Sequence, residues 1–390
     1  MFSECNLIDS NFQIPVQDRN DMLISPIERN SPRGEFINEA SLIIWDEAPM
    51  ANRAVLACVD EVCKRVMENI LPFGGKVVIL LGDFRRTCPV VRNGSRVQTV
   101  DACIQSCPLW EDFTIRRLTQ AVRNAEDPVF ANFVNNVGDG AGPEIPLSML
   151  NTTTESSHLM HFVYPPEILR DPVACLKRAI LAPTHKQVDS YNNEIIKQVQ
   201  GDARTYLAAD TLKEAEDTGI LSPGATLDYV AQQTPPGLPP HSLTIKTNAI
   251  YRLLRNFSLD RGLVKNVRVV VTEVGTRIIT VKIIHSSNTN RLQHDEEFLI
   301  PRITFTHVLK SGHTLLRRQF PLAPAYCTTF NSCQRLTLDK VGINLTRPVF
   351  SHGQLYTALS RIRNRTHALI RLRPGENSTT NVTYDEILLR

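Results

Sequence analysis

Two short apolar runs that each stop on carboxylates constrain this chain most. Ser41 to Trp45 ends in Asp46-Glu47, and Lys76 to Leu81 ends in Gly82-Asp83. Continuous apolar runs of this length predict parallel strands covered on both faces. Between them Val55, Val59, Val62, Val66 and Ile70 recur at spacings of three and four, which predicts one face of an amphipathic helix. Strand, helix, strand makes a right-handed βαβ unit. Open α/β sheets bind ligands beyond the carboxyl ends of their strands, so Asp46, Glu47 and Asp83 are predicted to face one crevice.

Further along, Phe130, Phe133, Val134 and Val137 repeat the helical spacing, and the Gly/Pro-rich stretch from Gly138 to Pro146 marks a domain boundary. A second strand–helix unit follows: Ala179 to Ala182 is the strand, and Val188, Tyr191, Ile195 and Val199 stripe the helix. From about Leu243 to Phe320 the pattern changes to β-rich runs such as Val267 to Val274 and Arg277 to Ile284, which predicts a small antiparallel barrel or sandwich. The α/β pattern returns with Val341 to Leu345, a helix over Gly353 to Arg361, and a strand from Ala368 to Leu372.

Composition narrows the function classes. No run of about 18 uncharged apolar residues occurs, so no membrane span is expected. The nine cysteines are irregularly spaced without a CxxC pair, which fits reduced intracellular thiols rather than a disulfide or zinc framework. The histidines show no metal-ligand spacing. With a net charge of only +3, any nucleic-acid track has to be local.

The acidic strand ends carry the chemistry. Adjacent carboxylates at such a position can divide the work of nucleotide hydrolysis, with Asp46 in a Mg²⁺ shell and Glu47 orienting or deprotonating water. An apolar strand that merely ends in an acidic turn is the competing reading. Arg361 closes Tyr356-Thr357-Ala358-Leu359-Ser360-Arg361, and a guanidinium from a distant segment can stabilise charge on a transferring phosphoryl group. His352, with no Cys or acidic neighbour in sequence, reads as structural or as a DNA contact. Tyr326 and Phe330 read as strand core rather than as base-stacking residues.

Five segments occur in order: WDEAPM (Trp45 to Met50), PFGGKVVILLGDFRR (Pro72 to Arg86), LLRN (Leu253 to Asn256), RRQFPL (Arg317 to Leu322) and FSHGQLYTALSR (Phe350 to Arg361). Together they resemble the motif series of the Pif (petite integration frequency) family of superfamily-one DNA helicases, particularly the form encoded by Helitron transposons. The resemblance implies an α/β fold of two RecA-like, P-loop-NTPase-type domains, parallel sheets with flanking helices, and a small β-barrel inserted in the second. The corresponding boundaries are 1–145 for a partial first domain, 146–242 for the start of the second, 243–322 for the barrel and 323–390 for the end of the second. It implies Mg²⁺ with ATP, a single-stranded DNA partner, 5′ to 3′ unwinding, no membrane, and an intracellular, nuclear setting. Residue by residue, Glu47 and Arg361 match the catalytic pair. Asp46 matches the metal carboxylate, and Asp83, Arg86 and Arg123 match nucleotide-facing positions. Phe12 and Pro15, with Thr329, Asn331 and Gln334, match the strand-binding segments.

The sequence departs from that pattern in several places. GxxxxGK[ST] occurs nowhere, and Gly74-Gly75-Lys76 precedes a strand where a P-loop would follow one. The expectation is a first domain that lacks its P-loop, first strand and first helix, with a sheet edge left open. Arg86 stands where the family usually has Gln. The coupling motif reads Asn331 to Leu338 (NSCQRLTL), without the family's Lys and Gly, and Lys265-Asn266-Val267-Arg268 replaces an Asn-Gly turn. These losses leave two further readings open: a non-catalytic single-stranded-DNA-binding or interaction remnant, and a chain without function.

Overall fold

The computed structural model describes residues 12–14, 23–91, 94–119, 122–213, 231, 234–235, 237–285, 296–309, 313–334, 336 and 338–389. It divides into two compact units, Met1–Met149 with Arg347–Arg365 and Gly375–Arg390, and Leu150–Thr346 with Thr366–Pro374. The first segment of the first unit ends at Met149, a few residues from the expected boundary at 145, and residues 347–365 and 375–390 cluster with the same unit.

In the first unit the strands Leu42–Trp45 and Val77–Leu80 pair in parallel, Leu42 opposite Val77 and Trp45 opposite Leu80. The connecting helix runs Arg53–Met67, capped by the Asn52 side chain at its start and by left-handed Glu68 at its end. Its inner face is Leu56, Val59, Val62, Cys63 and Val66. Ile70 lies beyond the cap and is 92% exposed, so it leaves the predicted stripe. These residues join Trp45, Ile37 and Phe73 in one core.

The expectation that both strands are buried on both faces is not met. Trp45 packs into the core with Ile43, Val78 and Leu80 against it, while Ile44 is 56% and Val77 61% exposed. The reason is the period-two alternation of a strand: with one layer of helix, only every second side chain is covered. Among the described residues the sheet has two strands.

The second unit holds a five-stranded parallel sheet in the order Cys327–Thr329, Arg178–Ala182, Lys340–Asn344, Ala368–Arg371, Asn151–Thr153. The helix His185–Gln198 buries the predicted Val188, Tyr191 and Ile195, with Val199 buried just past its end. The β-rich region is antiparallel, as expected, and is arranged as sheets of five, three and two strands. It begins earlier than residue 243. Ala203–Leu207 pairs with Ser242–Lys246, and Ala209–Lys213 pairs with Thr314–Gln319.

The RRQFPL segment has a structural role here. Arg317 is fully buried and donates from Nε and Nη2 to the two oxygens of Asp210, both at 2.9 Å. His241 Nδ1 lies 2.9 Å from the same carboxylate. Gln319 Nε2 donates to the carbonyls of Tyr206 and His241. The segment therefore ties the strands around residues 206, 210 and 241 into one polar network.

Two stability predictions follow from this packing. Thr at Ile44 or Val77 changes unfolding free energy by no more than about 0.5 kcal/mol, whereas Trp45→Ala costs about 3–5 kcal/mol; urea titrations of the full chain compare them. Arg317→Met strands a buried Asp210 and costs about 3–5 kcal/mol, and the double change Arg317→Met with Asp210→Leu recovers much of that loss. Equal losses in the single and double variants would show that the ion pair is not what holds the region.

Candidate functional site

The site in the first unit is assembled on the loop that follows the second strand, Asp83 to Thr87. The short helix Gln354–Leu359 is buried along its whole length and docks on that loop. Its N-terminal residue Gly353 has a φ of +67°, and a Cβ there would lie 2.4 Å from the Arg85 carbonyl oxygen and 2.5 Å from the Arg86 carbonyl carbon. Only glycine allows both that turn and that approach. Thr87 N–H donates to Thr357 Oγ1 at 3.2 Å. His352 bridges from the other side: its Nε2 sits 2.8 Å from the Phe84 carbonyl, and its Nδ1 accepts from the Tyr384 N–H at 2.9 Å. Burial lowers its pKa, so the ring is a neutral staple, as its sequence context suggested.

Asp83 is committed to the same frame. Arg85 donates to both its oxygens, at 3.1 and 3.3 Å, and the Tyr356 hydroxyl donates at 2.6 Å. Burial alone would raise its pKa. The Arg85 hydrogen bonds and charge, helped by Tyr356, override that and hold it below the usual carboxylate range. Burial and the adjacent carboxylate push the Tyr356 phenol well up. Asp83 is thus a structural anion that fixes Tyr356, and its charge is already neutralised.

Glu47 and Arg86 form the pair at the centre. Glu47 follows directly on Asp46 beyond the first strand, with a left-handed backbone at φ 55°, and is only 7% exposed. Arg86 Nη1 donates to its Oε1 at 2.7 Å. Asp46 is exposed, and its Oδ1 accepts from the Glu47 N–H at 2.9 Å. Among the described residues no group of three His, Cys, Asp or Glu side chains could hold a metal ion. A single exposed carboxylate still fits Mg²⁺ that is carried mainly by phosphate oxygens and water.

Two further guanidiniums meet at Ser360. Arg123 Nη1 donates to the Ser360 carbonyl at 2.9 Å, and burial together with the nearby Arg86 charge lowers its pKa. Arg361 is 1% exposed, with Nη2 donating to Ser360 Oγ at 3.0 Å. Of the nucleotide-facing positions expected from sequence, Glu47, Arg86, Arg123 and Arg361 therefore share one unit. Arg361 lies in 347–365, which clusters with that unit. Sequence reasoning missed Arg85 and Tyr356, although both lie inside the quoted motifs.

The strand-binding expectations fare differently. Phe12 is buried in the first core, and its carbonyl accepts from Ser25 Oγ, so its ring is not a free stacking surface. Pro15 lies outside the described residues. In the second unit the Cys327–Thr329 strand runs into a 3-10 turn at Asn331–Cys333, where Thr329 Oγ1 donates to Ser332 Oγ. Asn331 and Gln334 are half-buried at this carboxyl end of the sheet. Tyr326 and Phe330 are core residues, as read from sequence. Lys76 donates to the carbonyls of Asn38 and Ala40, so Gly74-Gly75-Lys76 serves as a pre-strand turn.

The 347–365 segment is anchored by Asp127, which caps the helix Pro128–Gly138 and takes two side-chain hydrogen bonds from Arg365, at 2.6 and 2.9 Å, and one from its backbone N–H at 3.2 Å. Those bonds hold its carboxyl at about 2, against an ordinary 3.8. The folded value lies below the unfolded one, so its contribution is complete above the ordinary value and is lost as pH falls toward 2. Asp127→Asn is expected to be less stable than the parent near neutral pH and to lose less on acidification. Urea midpoints at about pH 6 and about pH 3 check this, and parallel acid limbs would contradict it.

Residues 2–145 match the family model described as PIF1-like helicase. The ATP-dependent DNA helicase PIF1 of Candida albicans is 24% identical over 426 residues, spanning 90% of this chain and 45% of that protein. The human protein of the same name is 27% identical over 343 residues, spanning 86% of this chain and 47% of its own length. The chain thus spans about half the length of the curated relatives it matches. Among solved structures, Bacteroides Pif1 bound to single-stranded DNA aligns with a TM-score of 0.64 at 21% identity, covering 98% of this chain and 80% of that one. The Candida albicans Pif1 crystal structure aligns with a TM-score of 0.58 at 22% identity, covering 93% and 77%. These structures share the fold of this chain, and its residues 2–145 are similar to the PIF1-like helicase family.

Proposed function

We propose that this chain is the motor portion of an ATP-dependent DNA helicase of Helitron type, moving 5′ to 3′ along single-stranded DNA. The observation that carries the reading is the convergence of Glu47, Arg86, Arg123 and Arg361 in one unit, with Glu47 just beyond the carboxyl end of a parallel strand. In that reading Glu47 orients the attacking water, and Arg123 and Arg361 take up charge that develops on the terminal phosphate. Asp46 is the carboxylate for Mg²⁺, which supplies charge neutralisation between the phosphates when bound. Asp83 positions Tyr356 and makes no nucleotide contact. Thr329, Asn331 and Gln334 follow the strand backbone, with little base preference.

The 390 residues contain no GxxxxGK[ST]. Without that backbone N–H cradle and its lysine, most of the positioning that phosphoryl transfer depends on is missing. The proposal is therefore that these residues alone bind ATP weakly and do not turn it over. The same observation favours a second reading, strand binding that is indifferent to nucleotide, with the second unit and its antiparallel sheets as the binding part.

The test is ATP hydrolysis by the purified chain with and without single-stranded DNA, beside a strand-binding titration. No turnover is expected, with salt-dependent strand affinity that ATP leaves unchanged. Alanine at Asn331 and Gln334 is expected to weaken strand binding several-fold while the melting temperature holds. Turnover abolished by Glu47→Gln would overturn the requirement for the cradle. A folded chain that binds neither ATP nor DNA would overturn the helicase reading.

A further inference from the structure

The Arg86–Glu47 ion pair occupies the place where the proposed chemistry needs both groups free. Arg86 donates from Nη1 to Glu47 Oε1 at 2.7 Å, with the side chains 20% and 8% exposed. Its buried Nε makes no hydrogen bond among the described residues, and the Asp83 oxygen nearest to it is 3.8 Å away. Asp83 itself is taken by Arg85 and Tyr356. Glu47 is therefore the carboxylate that hydrogen-bonds Arg86. Close by, Arg123 carries a second guanidinium that feels the Arg86 charge, and Arg361 is buried beside Ser360, whose carbonyl holds Arg123. Arg86 and Arg123 are thus two guanidiniums that feel each other's charge beside the Glu47 carboxylate, and such a pair is stabilised by an anion with more oxygens than Glu47 can offer.

We infer that Glu47 is the resident counter-ion of a phosphate site, latched to Arg86 until an incoming phosphate oxyanion takes its place on that guanidinium. The exchange is confined to side chains, because the Arg86 backbone is pinned. Gly353 lies against its carbonyl, and the next residue, Thr87, is bonded to Thr357. Arrival of a terminal phosphate then releases Glu47 at the moment it has water to act on, and an empty site keeps its base neutralised. The inference rests on the hydrolase reading for what Glu47 does after release; the exchange itself requires only the ion pair and the arginines.

The full chain, titrated with inorganic pyrophosphate in magnesium-free buffer by calorimetry, tests it in four forms: parent, Glu47→Gln, Arg86→Gln and the double variant. Thermal melts confirm that each is folded. Glu47→Gln is expected to tighten pyrophosphate by roughly five- to tenfold, Arg86→Gln to weaken it, and Glu47→Gln to add nothing in the Arg86→Gln background. A gain that persists in the Arg86→Gln background would mean that Glu47 acts only through its general field, and the latch would fall. No gain in folded Glu47→Gln would also overturn it. ATP run in parallel separates recognition of phosphate alone from recognition of a nucleotide. Absence of strand-stimulated hydrolysis would bear on the helicase reading and leave these affinities unaffected.

Discussion

The docking of residues 352–357 on the Asp83–Thr87 loop is the contact on which the first unit's chemistry depends. It uses four kinds of interaction within a few residues. A neutral histidine bridges two backbones, a glycine admits a carbonyl at its α-carbon, a phenol bonds a carboxylate, and a threonine hydroxyl takes a loop N–H. None of these is strong alone. Together they fix Arg86 on one side and carry Ser360 and Arg361 on the other. A shift of the loop by one residue would separate Arg86 from Glu47, because a guanidinium–carboxylate bond at 2.7 Å tolerates little displacement.

Charge in this unit is divided between structure and chemistry. Asp83 and Asp127 are acidic residues whose protons are held off by arginines committed to them, Arg85 and Arg365, and both serve to hold segments in place. Glu47 is different, since its arginine, Arg86, also lies close enough to Arg123 to lower that residue's pKa. The second unit shows the structural use again, with Arg317 and Asp210 joined in a network that is buried among strands. Motif residues are therefore not equivalent. The RRQFPL segment holds a sheet region together, whereas the FSHGQLYTALSR segment builds a site.

Much of the architecture was legible before any coordinates. The strand–helix–strand unit, the helix over Phe130 to Val137, the stripe from Val188 to Val199 and the antiparallel strands near residues 267–284 all follow from periodicity, which is a local property of sequence. Two errors came from the limits of that logic. Ile70 fits the helical spacing, but the chain turns left-handed at Glu68 and ends the helix first. The runs at Leu42 and Val77 read as buried on both faces, yet coverage depends on what packs against a sheet, which an apolar run cannot report.

Sequence alone determined the acidic strand ends, the motif series and the absence of a Gly-rich phosphate loop in these residues, because each is written in contiguous positions. Tertiary structure decided which carboxylate is a tool and which is a fastener. Asp46, Glu47 and Asp83 look alike in sequence, but one is exposed, one is latched to Arg86 and one is neutralised by Arg85 and Tyr356. It also decided that residues 347–365 belong with the first unit. The physical reason is common to both: a charge takes its role from its partners, and those distant in sequence, Arg86 for Glu47 and Tyr356 for Asp83, come within hydrogen-bonding reach only in the folded chain.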